Sequence, residues 1–106
     1  MTNPWRGEVA LVIDGERHLM KLTLGALAEL EASLQEGSLV ELVQRFESGG
    51  CSTRDVLALI VAGLRGGGWT GTARDLLSAE IEGGPMGAAR AAAELLARAF
   101  MTPGET

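Results

Sequence analysis

The segment Arg54-Asp-Val-Leu-Ala-Leu-Ile-Val-Ala-Gly-Leu-Arg65 contains the longest apolar run of the chain, Val56 to Leu64. Apolar side chains would surround a helix formed by this segment, because its charged residues lie only near its two ends. A helix that is apolar on every side is usually buried on every side. We therefore predict a buried central helix, Thr53–Leu64, with the other elements packed around it.

Glycines separate this segment from four other predicted helices. The breaks are at Gly37, Gly49-Gly50, Gly66-Gly67-Gly68 and Gly83-Gly84. Ser38, Ser52 and Thr72 each precede a carboxylate by three residues, which is the spacing of a capping box at a helix start. Thr23 is a suitable cap for the first helix, and Pro85 suits the N1 position of the last one.

Apolar residues at helical spacing predict which face of each outer helix is buried. These residues are Leu24, Leu27, Leu30 and Leu34 in the first helix, Leu39, Leu42, Val43 and Phe46 in the second, and Met86, Ala89, Ala93, Leu96 and Phe100 in the last. In the last helix, charged residues at intervals of four occupy the opposite face. We expect the apolar faces to pack on the central helix.

Residues 8–22 predict a β-hairpin. Val9, Leu11 and Ile13 alternate along the first strand, and Asp14-Gly15 is typical of a type I′ turn. A two-residue turn sets Val9 opposite Met20, so these apolar residues share one face. Because an isolated hairpin is marginal in water, we expect this face to lie on the helices.

The chain of 106 residues fits a single domain, 1–106, that is mainly α. We assign the β-hairpin to residues 6–22, a helical body of about five short helices to residues 23–100, and a frayed tail to residues 101–106. The apolar run is far shorter than the ~20 residues that cross a bilayer, so we expect no membrane contact.

The composition points away from nucleic acid and towards the cytoplasm. The formal net charge is −5, and the nine basic residues are scattered rather than clustered against a phosphate backbone. Cys51 is the only cysteine, which excludes an internal disulfide and favours a reducing compartment. The first residues lack the basic and then apolar pattern of a signal peptide.

The chain offers little for catalysis, metal binding or cofactor binding, and we predict none of the three. His18 is the only histidine, so a multi-histidine metal site is excluded. A nucleophilic pair of His18 and Cys51 would need the fold to bring them together, and no acid or oxyanion partner is recognisable. The glycine-rich segment 66–72 lacks the lysine of a phosphate-binding loop, because Lys21 is the only lysine. The acidic residues of the first two helices are interpreted as a solvated face.

The order of segments resembles a known family. The segments are Leu22-Thr-Leu-Gly-Ala-Leu-Ala-Glu-Leu-Glu31, Gly37-Ser-Leu-Val-Glu-Leu-Val-Gln-Arg-Phe46, the Arg54–Arg65 segment and an alanine-rich closing helix, all after a short strand-turn-strand. The arrangement is similar to that of small proteins from the tail-gene clusters of gene transfer agents and related siphophages. These proteins are usually described as phage tail assembly chaperones and are sometimes labelled tail-tube proteins.

The resemblance covers roughly residues 6 to 100 and implies a mainly helical, non-enzymatic protein that acts during assembly of a phage-like tail. It implies the tape-measure protein and the tail-tube protein as partners, because such chaperones are thought to coat the first and recruit the second. It carries no catalytic residues.

Two functions therefore stay open. As an assembly chaperone, the protein would bind an amphipathic helix of its client in an apolar groove. As a structural tail component, it would form a homo-oligomeric ring by pairing the open edges of its hairpin between copies. The residues that we predict to contact a partner are Trp69, Arg65, Leu64, Leu27 and Leu34. Trp and Arg are enriched at interface hot spots, although Trp69 is also a natural core residue.

Overall fold

The computed structural model describes residues 7–34 and 38–100. Within these ranges the elements are β1 (Val9–Ile13), β2 (Glu16–Met20), α1 (Leu24–Ser33), α2 (Leu39–Ser48), α3 (Thr53–Gly66), α4 (Ala73–Leu77) and α5 (Gly84–Phe100). The prediction of a mainly helical fold, with an N-terminal hairpin followed by five helices, is confirmed for this part of the chain. The predicted break at Gly37 and the predicted tail 101–106 lie outside the described residues.

The hairpin has the turn and the register that the sequence predicts. Asp14 and Gly15 both have positive φ angles, 51° and 82°, as a type I′ turn requires. Val9 is paired with Met20, and the pairing continues without a bulge to Ile13 and Glu16. The apolar face is buried: Val9, Met20 and Ile13 are at most 7% exposed. This face lies on α3 and α5.

Helix α3 contacts β2, α1, α4 and α5. Leu59, Ile60 and Leu64 are at most 1% exposed. Val56 and Leu57, in contrast, are only partly buried, so α3 is not enclosed on every side as the all-round apolar pattern predicts. The reason is that α4 has only five residues, too few to cover the side of α3 that carries Val56 and Leu57.

Two glycines of α3 allow the hairpin and α5 to approach the α3 backbone closely. A Cβ atom on Gly66 would overlap the carbonyl oxygen of Lys21, at the end of the hairpin. A Cβ atom on Gly63 would lie 2.6 Å from Cδ1 of Leu95 in α5. The carbonyl of Gly63 also accepts a hydrogen bond from the amide of Lys21 at 2.9 Å. The hairpin and α5 therefore meet the same half of α3.

Of the residues predicted to form the buried face of α5, only Leu96 is buried, and Ala89 is partly buried. Met86 is 72% exposed and Phe100 is 52% exposed. The buried residues of this helix are Ala88, Ala91, Ala92, Leu95 and Leu96. These residues also have helical spacing, but most are alanines, because α5 lies too close to α3 and β1 for larger side chains between them. The largest apolar residues of α5 therefore do not mark the face of the helix that is buried.

The helix starts are largely as predicted. Thr23, Ser38 and Ser52 each accept a hydrogen bond from a backbone amide in the first turn of α1, α2 and α3. At α4 the carboxylate of Asp75 accepts from the Thr72 amide at 2.9 Å. Helix α5 begins one residue before Pro85, which is therefore its second residue rather than its first.

Substituting Gly66 tests the close approach of the hairpin to α3. We expect Gly66→Ala to lower the free energy of unfolding by about 1–3 kcal/mol, because the backbone of Lys21 must move to admit the new Cβ atom. Gly25→Ala in α1 is the matched control. Its Cβ would have no neighbour nearer than 3.9 Å, so we expect it to raise stability by up to about 1 kcal/mol through helix propensity. Urea unfolding of both variants measures the difference, and equal effects would contradict the packing.

Candidate partner-binding surface

An open apolar groove of about 600 Å³ lies between the first half of α3, α4 and the start of α5. Its apolar lining consists of Val56, Leu57, Ile60, Leu76, Leu77, Ala79, Ile81, Pro85, Ala88 and Ala89. The polar residues at its border are Cys51, Ser52, Thr53 and Glu80. Leu77 is 73% exposed within it. Apolar side chains left open in a groove gain stability when an apolar partner surface removes them from water.

The segment after α4 fixes one wall of this groove. Ile81 forms an antiparallel bridge with Ile13 at the outer edge of β1. The amide of Glu82 donates to the carbonyl of Val12 at 3.0 Å, and the amide of Asp14 donates to the carbonyl of Glu80 at 2.8 Å. The sequence pattern alone did not predict this short pairing. The signal that could have found it is the alternation Glu80-Ile81-Glu82 before a pair of glycines.

An ion pair fixes the start of α3, which borders the groove. The guanidinium group of Arg45 in α2 donates two hydrogen bonds, both 2.9 Å long, to the two carboxylate oxygens of Asp55. The same carboxylate accepts from the Ser52 amide at 3.0 Å and so completes the capping box. The hydrogen bond from Arg45, followed by that from Ser52, lowers the pKa of Asp55 below 3.8 against the opposing effect of burial. One buried carboxylate thus joins α2 to the first turn of α3.

The predicted partner-contact residues lie away from the groove. Leu64 is wholly buried and belongs to the core, so it presents no surface to a partner. Trp69 and Leu34 are partly buried and pack against the core. Leu27 is also partly buried. The groove was not predicted, because Val56 and Leu57 were expected to be covered. The adjacent pair Leu76-Leu77 was its best signal, since two neighbouring residues of a short helix cannot both face inward.

Arg65 is exposed but not isolated. Its guanidinium group contacts the carboxylate of Glu29 at 3.0 Å and donates to the carbonyl of Gly71 at 3.2 Å. It shares a shallow depression with Trp69 and Thr70, near the start of α1. A role for Arg65, Trp69, Leu27 or Leu34 in binding stays a prediction.

The edges of the hairpin are less open than the sequence suggests. The segment 80–82 occupies the edge of β1 from Val12 to Asp14. At the edge of β2, Lys21 is bonded to α3, and the carbonyl of Leu19 lies against Gly67. Pairing of hairpin edges between copies, the expected route to a ring, therefore has only a short length of free backbone available.

The residues considered for catalysis occupy different elements. His18 lies in β2, with its Nε2 atom 3.8 Å from the carboxylate of Glu16. Cys51 precedes α3 at the border of the groove. Within residues 7–34 and 38–100, no group of three His, Cys, Asp or Glu side chains is arranged to hold a metal ion. The helices of that part of the chain are all too short or too polar to cross a membrane.

The Asp55 pair predicts a dependence of stability on pH. Because the folded pKa of Asp55 lies below its unfolded value, the pair contributes fully above pH 3.8 and is lost as the pH falls through the folded value. We expect Asp55→Asn to cost about 1.5–3 kcal/mol near neutral pH, and this difference from the unsubstituted chain to shrink as the pH falls below 3.8. Asp75→Asn, at the same position of the α4 cap, should cost only about 1 kcal/mol. Equal costs in urea unfolding would contradict a special role for the Arg45 pair.

The chain matches a known protein family. Residues 6–102 match the family described as "Phage tail tube protein, GTA-gp10". The match spans the hairpin and all five described helices. No curated protein and no solved structure matches the chain.

Proposed function

Because the chain belongs to the phage tail tube protein family of GTA-gp10, we propose that it is a structural component of a phage-like tail. The observation that carries this proposal is the family match over residues 6–102, which includes every element that builds the groove. The protein would assemble with other tail proteins in the cytoplasm of a bacterial cell and remain in the finished particle. Its role would be contact rather than catalysis.

The apolar groove is the surface that we propose for this contact. Leu77 is 73% exposed at the groove. Binding of a partner would cover this side chain, and full burial of such a side chain contributes about 1.5–3 kcal/mol. The groove is concave and lined by three helices, which is the shape that receives a helix or a projecting apolar side chain.

A second candidate function is assembly chaperone, and the same groove favours it. A tape-measure protein with apolar seams along a long helix needs those seams covered until the tail is complete. An open groove lined by leucine, valine and alanine could hold one turn of such a helix. The two functions differ in one respect: a chaperone leaves before the particle is finished, whereas a structural component stays.

Purified particles separate these functions. We expect the chain to be present in finished tails at a fixed ratio to the other tube proteins, as measured by quantitative mass spectrometry of particles washed in high salt. Its absence from finished tails, together with recovery of the chain bound to tape-measure protein from cells that lack tube protein, would favour the chaperone. Absence from both would contradict each proposal.

A charged residue introduced into the groove tests whether the groove is the contact surface. We expect Leu77→Glu to reduce the yield of complete tails at least tenfold, because the carboxylate would lose its water when a partner binds. The fold should remain, since Leu77 is largely exposed. Val40→Glu on α2 is the matched control: Val40 is 64% exposed and lies outside the groove. Equal tail yields from the two variants, counted by electron microscopy, would show that the groove is not the contact.

A further inference from the structure

Residues 72–82, which we call the α4 segment, bury few of their side chains. Leu76 is 6% exposed, and Ala79 and Ile81 are partly buried, whereas the other side chains of the segment are exposed. Helix α4 itself has only five residues, and a helix this short is not stable in water without contacts to other elements. The segment therefore depends on three apolar side chains for its packing against the rest of the fold.

Hydrogen bonds to the hairpin turn hold the end of this segment. The amide of Glu80 donates to the carboxylate of Asp14 at 2.9 Å, and the amide of Asp14 donates to the carbonyl of Glu80 at 2.8 Å. The amide of Glu82 donates to the carbonyl of Val12 at 3.0 Å. Because Asp14, Glu80 and Glu82 are exposed, water can replace these hydrogen bonds when the segment moves away.

Glycines lie on both sides of the α4 segment. Gly83 and Gly84 follow it with φ angles of 87° and 65°, which side chains other than glycine rarely allow. Gly71 precedes it and lies against the ring of Trp69, which a Cβ atom on Gly71 would overlap. Trp69 packs on the core, and Arg65 donates to the carbonyl of Gly71 at 3.2 Å. The chain is thus attached to the core as far as Gly71, and movement can begin after it.

We propose that the α4 segment is a lid, which opens as one unit between Gly71 and Gly83 while the hairpin, α1, α3 and α5 stay folded. Regions with few buried side chains and with exposed hydrogen bonds open at a lower free-energy cost than the core. The closed state predominates, and in that state the pairing with β1 keeps the segment in one position. The open state is a minor state of the folded chain.

Opening uncovers apolar surface that the closed state hides. Ile60 of α3 is 1% exposed and lines the groove together with Leu76. Ile13 of β1 is 7% exposed and is bridged to Ile81. Loss of the α4 segment from these positions extends the groove along α3 and frees the outer edge of β1. The closed lid therefore limits the apolar area that the isolated chain presents to water.

Amide hydrogen exchange of the isolated chain, followed by NMR, tests this proposal. Two hairpin amides that donate out of the sheet form a matched pair: Asp14 donates to the α4 segment, and Lys21 donates to the carbonyl of Gly63 in α3 at 2.9 Å. We expect the amides of Asp14 and Glu82 to be less protected than that of Lys21 by at least about tenfold, because opening of the lid releases only the first two. Equal protection of the three amides would overturn the proposal.

Two substitutions separate opening of the lid from unfolding of the whole chain. Ala92 lies in α5 and is 0% exposed, so Ala92→Gly should speed exchange of the Lys21 amide about fivefold and leave the amides of Asp14 and Glu82 unchanged. Leu76→Ala removes the buried contact of the lid and should speed exchange of all three amides by at least about tenfold. Equal acceleration of the three amides by Ala92→Gly would show that the chain opens only as a whole, which contradicts the proposal.

A reversible cross-link tests the same opening in a single variant. Val12 lies opposite Glu82 in the pairing of β1 with the lid, and Cα atoms so paired are about 5.5 Å apart, within reach of a disulfide. In the variant Val12→Cys/Glu82→Cys/Cys51→Ser, the reduced form should show the lower protection of Asp14 relative to Lys21, and the oxidised form should lose this difference. A difference that survives oxidation would mean that the turn frays by itself, and the proposal would fail. Both measurements use the isolated chain, so their outcome is independent of whether the protein stays in finished tails.

Discussion

Close approach of the hairpin and α5 to the second half of α3 is the constraint on which the other features depend. Gly63 and Gly66 permit it, and the hydrogen bond from Lys21 to the Gly63 carbonyl fixes its position. The hairpin and α5 are both held at that end of α3 and contact each other there. This contact between the hairpin and α5 explains why the buried face of α5 is mostly alanine. The first half of α3 lies beside α4 and the start of α5, and α4 is too short to close the space between them.

The apolar groove therefore results from the way in which the hairpin, α4 and α5 cover different parts of α3. Its walls are not loosely placed: the Arg45–Asp55 pair fixes the first turn of α3, and the pairing of Ile81 with Ile13 fixes the segment after α4. A groove with ordered walls loses little conformational entropy when it binds, which favours contact with a protein partner. This property suits either proposed role in a phage-like tail.

The sequence predicts local features of this fold better than tertiary ones. The turn at Asp14-Gly15, the hairpin register and the caps follow from backbone geometry within a few residues, and they could be predicted. The buried face of α5 could not, because it depends on how closely α3 approaches. The groove was missed for a related reason: an apolar pattern around α3 does not reveal whether a neighbour is long enough to cover Val56 and Leu57. The family match over residues 6–102 indicates a tail protein without identifying its contacts.

The most direct test of the groove as the contact surface uses the native Cys51 thiol, which lies at its border. The rate of alkylation of this thiol can be measured in the isolated chain at low concentration and again in the assembled complex with its tail proteins. If the groove is occupied on assembly, alkylation of Cys51 slows at least tenfold in the complex. The same rate in both states would contradict the account, because it would mean that the groove stays open when the protein does its work.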